Sequence, residues 1–281
     1  MLVLAGLAVP AGALAGDGQS LPANVAPPLA SASKDRERPW REGCVAFETR
    51  KSPRSCVYGA KNGRYTIALV GDSHLSHLFP AFEAAALAHG WRLLVYFKTN
   101  CPFADVRVRS VVLGREYREC AAWNEAVVAR VNAAAPDLVV VAMYIIRAVD
   151  PAQTTTARRA AAVARMLGRL RSPTILLADN PISRVDVPTC LKSNKSDIRR
   201  CATPRRRALR GHDAIERAAA KLAGVPLIDL ANRICVADPC PAVVGGRIVF
   251  RDTHHLTATF TRTLAPGVAR LVISVAPAAG H

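Results

Sequence analysis

The sequence predicts an α/β fold, a three-layer α/β/α sandwich around a mainly parallel, five-stranded sheet. Three observations carry that expectation. From Tyr65 onward, short runs rich in β-branched residues alternate with Ala- and Leu-rich stretches of helical length. The short runs are apolar on both faces, as strands covered by helices on each side must be. Hydrophobic residues make up 51% of the 281 and charged ones 21%, which excludes a disordered, collagen-like or coiled-coil chain.

The expected strands are residues 66–70, 92–97, 138–142, 174–178 and 226–229. Between them, residues 76–89, 121–135, 155–170 and 205–223 read as helices, with Arg on the outward positions. Val243-Val244 and residues 247–250 flank Gly245-Gly246, and a Gly-Gly pair between two β-prone runs predicts a two-residue hairpin. A last helix follows Leu256. Two segments, 98–119 and 180–200, read as long loops, and both carry cysteines or end beside them.

Residues 1–15 are apolar throughout and end in the A-x-A pattern Ala13-Leu14-Ala15, as a cleaved export signal does. No Lys or Arg precedes the run, and it is shorter than the roughly 20 residues that cross a bilayer. An export signal and the outer part of a membrane helix are the two readings; both place the remainder outside the cytoplasm. Residues 16–43, rich in Pro, Ala, Ser and charge, read as a flexible linker, and 44–276 as the folded domain.

Lys and Arg number 38 against 21 Asp and Glu, a net charge of +17. Such a balance permits anionic partners such as an acidic glycan or a membrane surface. Aromatic residues are only 5%, thin for a protein that stacks bases, so no nucleic-acid partner is expected. Eight cysteines fall as neighbours in sequence: Cys44/Cys56, Cys101/Cys120, Cys190/Cys201 and Cys235/Cys240. None has the C-x-x-C spacing of a zinc ribbon, so disulfides in an oxidising compartment are expected, paired between neighbours because those loops close at least entropic cost.

In open parallel sheets, sites form beyond the carboxyl ends of the strands. The first expected strand ends in Gly71-Asp72-Ser73-His74, directly before a helix. A serine there presents its hydroxyl to the crevice, and its backbone N–H can stabilise a developing oxyanion. The alternative is that Ser73 or Asp72 only caps the helix. Near the carboxyl end stands Asp252-Thr253-His254-His255. Asp252 and His255 are spaced so that the carboxylate can accept the imidazole Nδ1–H, leaving Nε2 to take a proton from a serine. Together these residues supply every member of a Ser-His-Asp triad.

These residues carry a resemblance. Gly71-Asp72-Ser73 with Asp252-x-x-His255 resembles the SGNH (GDSL-type) hydrolase superfamily, with its flavodoxin-like sandwich. Asn100-Cys101-Pro102, the stretch from Leu230 to Pro241, and Phe250-Arg251-Asp252-x-x-His255-Leu256-Thr257 narrow it further. They are similar to the SGNH domain appended to membrane acyltransferase-three proteins, which O-acylate surface polysaccharide, lipopolysaccharide or peptidoglycan. The resemblance implies Ser73 as nucleophile, His255 as general base and Asp252 as the orienting acid. It implies a glycan acceptor and an acyl donor delivered by a membrane module. No cofactor is expected, and with seven histidines and no further metal-binding pattern, no metal either. One departure is plain: the superfamily's G-x-N-D block should follow residues 138–142, but Met143-Tyr144-Ile145-Ile146 stands there. Asn100 is then the candidate side-chain oxyanion donor, or a turn residue beside Cys101. His74 is a candidate substrate contact or a helix-cap neighbour, and Asp72 more simply fixes its turn through backbone N–H groups. Arg107, Arg109, Lys192 and Lys195, on the two long loops, would suit an anionic glycan.

Three rivals stand beside this reading. Release of the acyl group to water makes a carbohydrate or small-ester esterase. Asp72, His74, Asp252, His254 and His255 read as metal ligands give a phosphoesterase, which a chelator would silence. A degenerate site gives a basic glycan-binding module with salt-sensitive binding and no turnover.

Overall fold

The computed structural model describes residues 20–54, 56–145, 155–211 and 213–280; the apolar segment 1–15 lies outside them. Eleven strands are described: β1 (Val45–Ala46), β2 (Cys56–Gly59), β3 (Tyr65–Gly71), β4 (Trp91–Lys98), β5 (Arg109–Ser110), β6 (Arg115–Glu116), β7 (Leu138–Ala142), β8 (Thr174–Leu177), β9 (Leu227–Ile228), β10 (Val243–Val244) and β11 (Arg247–Ile248). The central sheet runs β4-β3-β7-β8-β9, all parallel. These are the five expected strands. Two short segments, β1 (parallel) and β2 (antiparallel), extend the sheet beyond β4 to seven strands.

Alternation along β3 explains the layers. Ile67 and Leu69 face one side, with the helices Phe79–His89 and Ala265–Val275, whereas Ala68 and Val70 face the other, with Arg118–Ala134, Thr156–Leu167 and Ala214–Ala223. Every residue of β7 is buried, as a strand covered on both faces requires. Gly71 ends β3 where any side chain would collide: a Cβ there would lie 2.0 Å from the Ala142 carbonyl oxygen. That closeness brings the carboxyl ends of β3 and β7 together beneath the site.

Several expected helices are divided. Residues 76–89 become a turn of helix Ser73–Ser76 followed by Phe79–His89, with Pro80 in the second helix's first turn. Residues 205–223 split into Arg205–Ala208 and Ala214–Ala223 around Gly211, whose φ is +70°. The terminal stretch likewise splits into Ala258–Arg262 and Ala265–Val275. The Gly245-Gly246 hairpin forms between β10 and β11 with φ of +54° and +71°. The segment 98–119 contains the small hairpin β5–β6, and 180–200 contains the helix Val187–Ser193. All eight cysteines are paired, as Cys44–Cys56, Cys101–Cys120, Cys190–Cys201 and Cys235–Cys240. No helix of the described residues is long and apolar enough to cross a membrane.

The linker expectation for 16–43 is corrected over its described part. Residues 20–43 form a strap packed on the domain. Ala26 exchanges backbone hydrogen bonds with Gly246 and Ile248, and Ala32 is fully buried. The Asp35 carboxylate accepts the Thr259 N–H at 2.8 Å. Glu37 is buried against Arg251, 3.3 Å away, with both side chains 1% exposed. Its other carboxylate oxygen accepts the Ser76 hydroxyl. Composition alone misreads such a strap, because its few apolar and acidic anchors find partners more than two hundred residues away.

Removing the Glu37 carboxylate leaves the Arg251 guanidinium buried and uncompensated, which typically costs about 3–5 kcal/mol. We therefore expect Glu37→Ala to lower unfolding free energy in urea by about that amount. A change below about 0.5 kcal/mol, as at an ordinary surface position, would restore the linker reading.

Candidate active site

The carboxyl end of β3 delivers Asp72 as the N-cap of the Ser73–Ser76 turn. The two Asp72 carboxylate oxygens accept different backbone N–H groups, from His74 at 2.8 Å and from Tyr144, just past β7, at 2.8 Å. The aspartate thus ties the serine turn to the neighbouring strand end. Burial pushes its carboxyl pKa up, against the pull of His74 and the two N–H groups.

From the other end of the chain, the loop after Phe250 closes through the Arg251 N–H donating to the His255 carbonyl at 2.9 Å. Within it, Asp252 Oδ1 accepts the N–H groups of His254 and His255 at 2.8 and 2.7 Å. Its Oδ2 lies 2.7 Å from His255 Nδ1, and His255 Nε2 lies 2.9 Å from Ser73 Oγ. The spacing of Asp252 and His255 is therefore realised in a capped loop rather than a helical turn. Ser73, His255 and Asp252 form one continuous hydrogen-bonded chain, a geometry able to move a proton from hydroxyl to imidazole.

Burial lowers the His255 pKa to about 4, against the hydrogen bond it donates to Asp252, which raises it. Burial also opposes charge on Asp252, but the His255 ring and the two backbone N–H groups outweigh it and hold that carboxyl well below the usual range. A neutral imidazole beside an ionised carboxylate is the resting state a general base needs.

Ser73 opens into a cavity of about 230 Å³ shared with Asp72, Asn100, Arg109, Val111, Tyr144 and His254. The β5–β6 hairpin makes one wall, and Val111 at its tip is 93% exposed. Asn100 reaches this rim with a φ of +54°, and its side-chain amide donates to Glu48 at 2.9 Å. The segment carrying Glu48 is held by Lys98, whose ammonium donates to the Phe47, Glu48 and Arg50 carbonyls at 2.7, 3.0 and 2.7 Å. A second cavity of about 550 Å³ also touches Tyr144, with Arg159, Arg207 and Arg210 in its lining. Of the loop residues named for glycan binding, Arg109 lines the Ser73 cavity, whereas Arg107, Lys192 and Lys195 line neither of these two.

His74 is buried, and its Nδ1 pairs with Asp179 Oδ1 at 2.5 Å. It stacks on Tyr144 and on His254. Sequence reasoning missed Asp179, Tyr144, Glu37, Arg251 and His77 as members of the site's surroundings. A signal existed for Asp179, which stands two residues past β8, at a strand's carboxyl end. None existed for Glu37.

A Gly-Asp-Ser turn at the carboxyl end of β3, answered by a D-x-x-H loop before the last helices, is the arrangement the SGNH resemblance leads one to expect. The family model of the SGNH domain fused to AT3 (acyltransferase-three) domains matches residues 43–270, and the chain belongs to that family. Among solved structures it is similar to the periplasmic domain of a lipopolysaccharide acetyltransferase of Salmonella ser. Paratyphi A. Identity is 16%, the TM-score 0.61, and coverage 76% of this chain and 85% of that one. A carbohydrate acetylesterase of Sinorhizobium meliloti matches at 12% identity and TM-score 0.44, over 75% and 99% of the two chains. A carbohydrate esterase of family 2 from Corynascus thermopiles matches at 13% and 0.41, over 75% and 66%. No curated protein matches in sequence. The family supports an acyl-transferring or ester-hydrolysing enzyme.

The buried histidines also set an acid sensitivity. Burial holds His74 and His255 near pKa 4 and His77 well below its usual value, whereas an unfolded histidine titrates near about 6.5. The unfolded chain therefore binds more protons between about pH 6.5 and 4, so stability falls as pH falls through that window. Asp72, with its raised pKa, works in the opposite sense. We expect the thermal midpoint to drop between pH 7 and pH 4.5, and the three ring resonances in NMR to stay neutral above pH 5. Titration of these rings near pH 6.5 would refute the assignment.

Proposed function

We propose that the chain is an extracytoplasmic O-acyltransferase domain that carries a small acyl group on Ser73 and passes it to a glycan hydroxyl. The observation that supports this most is the Ser73–His255–Asp252 chain opening into a cavity at the strand ends. His255 Nε2 takes the Ser73 proton as Oγ attacks the donor's acyl carbonyl, and Asp252 steadies the imidazolium that results. The tetrahedral oxyanion falls to the Ser73 backbone N–H, with Asn100 as second donor if its amide leaves Glu48. Collapse expels the donor's leaving group, protonated by His255, and leaves an acyl-serine. A sugar hydroxyl, deprotonated by the same imidazole, then takes the acyl group and frees Ser73.

Family membership supports a membrane AT3 module as the source of the acyl group. Four disulfides support an oxidising compartment outside the cytoplasm. The net charge of +17, and the arginines lining the second cavity, support an anionic glycan acceptor. Water in place of the sugar makes the same site an esterase.

With a chromogenic acetyl ester, Ser73→Ala and His255→Ala should each lower kcat by about four orders of magnitude, and Asp252→Asn by somewhat less. Double variants should be hardly worse than single ones, because the three act as a unit. A base with pKa about 4 places the acid limb of kcat/KM near that value, well below that of an ordinary histidine. Adding anionic glycan should divert acyl groups from water to sugar ester, read by mass spectrometry of the glycan. Wild-type turnover by His255→Ala would end the triad reading; undiverted hydrolysis across several glycans would leave an esterase.

A further inference from the structure

Three imidazoles meet beside Ser73, and proton relay uses only one of them. One ring nitrogen from each of His74, His254 and His255 lies within 4.8 Å of the other two. His74 is 1% exposed. Asp179 holds its Nδ1, and its Nε2 is buried with no hydrogen-bond partner. A buried nitrogen in that state carries a desolvation cost unless something takes its lone pair. His255 repeats the pattern, with Nδ1 held by Asp252 and Nε2 turned towards Ser73. His254 Nδ1 lies 3.0 Å from the Thr253 hydroxyl, which can rotate to serve either tautomer. Two of the three rings are thus oriented by a carboxylate on the far nitrogen, the arrangement that prepares imidazole as a metal ligand.

We propose that His74, His254 and His255 bind one divalent ion of the zinc class, and that the bound ion silences the site by taking the His255 Nε2 lone pair. Neutral imidazole suits zinc and its neighbours in the transition series, whereas magnesium and calcium prefer oxygen. Ligand nitrogens about 2.0–2.1 Å from a tetrahedral ion stand roughly 3.4 Å apart. The rings must therefore close from separations of up to 4.8 Å, and His254 and His255, on a partly exposed loop, are the ones placed to move. Three ligands leave a fourth position for water. With its lone pair on the metal, His255 cannot accept the Ser73 proton, and acyl transfer stops. The silencing half rests on the triad proposed above; the binding half does not.

The test is calorimetric titration of the chelator-treated domain with zinc chloride, with ester turnover followed in parallel. We expect one zinc per chain, no heat with magnesium chloride, and turnover lost in step with zinc bound and restored by chelator. His254→Gln should weaken zinc binding at least tenfold, and Ser73→Ala should keep it. His74→Gln alters a buried side chain, so its circular dichroism is compared first; His254→Gln, partly exposed, decides the matter even where His74→Gln does not fold. Absence of one-to-one binding, or undiminished binding by His254→Gln, would overturn the site. Zinc bound with turnover intact would overturn the silencing. Absence of Ser73-dependent turnover would instead refute the acyl-transfer reading, while calorimetry still decides the metal site.

Discussion

A buried guanidinium has to be neutralised, and that requirement organises the whole site. Arg251 immediately precedes Asp252, and its side chain is 1% exposed. Glu37 supplies the opposite charge from the amino-terminal strap, while its second oxygen takes the Ser76 hydroxyl from the turn of helix that carries Ser73. Arg251 also donates to the Leu256 carbonyl, across the loop that presents His255. Strap, serine helix and histidine loop therefore meet at one ion pair. Such a pair adds little net stability over an apolar replacement, but losing one partner is expensive, so the three segments are held to a single arrangement.

Asp72 does the corresponding work on the sheet side. Its carboxylate is shared between the N–H groups of His74 and Tyr144, so the turn bearing Ser73 is registered against the end of β7. Gly71 makes that register possible, because no side chain fits against Ala142. The two aspartates beside the serine consequently behave differently. Asp72 spends its hydrogen-bonding capacity on backbone and has a raised pKa, whereas Asp252 faces an imidazole and two amides and stays ionised. Contrasting environments of this kind separate a structural carboxylate from one placed to stabilise a developing imidazolium.

How much of this the sequence reveals follows from distance along the chain. Strands such as 138–142 are legible because their five residues are uniformly apolar, with three consecutive β-branched valines, which only a doubly covered strand tolerates. Asp252 and His255 are legible because both their spacing and their interaction are local. The disulfides are legible for the same reason, their widest separation being 19 residues. The strap is illegible: Glu37 and Arg251 lie 214 positions apart, and a Pro- and Ser-rich segment looks alike whether it is free or clamped. The His74–Asp179 pair, 105 positions apart, escapes notice equally. The charged loops mislead in the opposite way, since Lys192 sits on the disulfide-pinned helix Val187–Ser193, Lys195 just past it, and neither lines either cavity.

On the proposed reading, the two cavities divide the labour of acyl transfer. The smaller, about 230 Å³ and bounded by Ser73 and Val111, has the dimensions of a short acyl group with its leaving atom rather than of a sugar chain. Tyr144 also lines the larger cavity, whose rim holds Arg159, Arg207 and Arg210. An anionic glycan held by those arginines approaches the acyl-serine past Tyr144 and His254. Its hydroxyl then competes with water through effective concentration rather than intrinsic reactivity. The same side also carries the unpartnered Nε2 of His74, so a metal ion bound by the imidazoles sits beside the relay and the acceptor path together. The two devices are thus separate: positive charge at the rim gathers an anionic acceptor, and the neutral imidazoles at the centre keep the proton path open only while no metal competes for it.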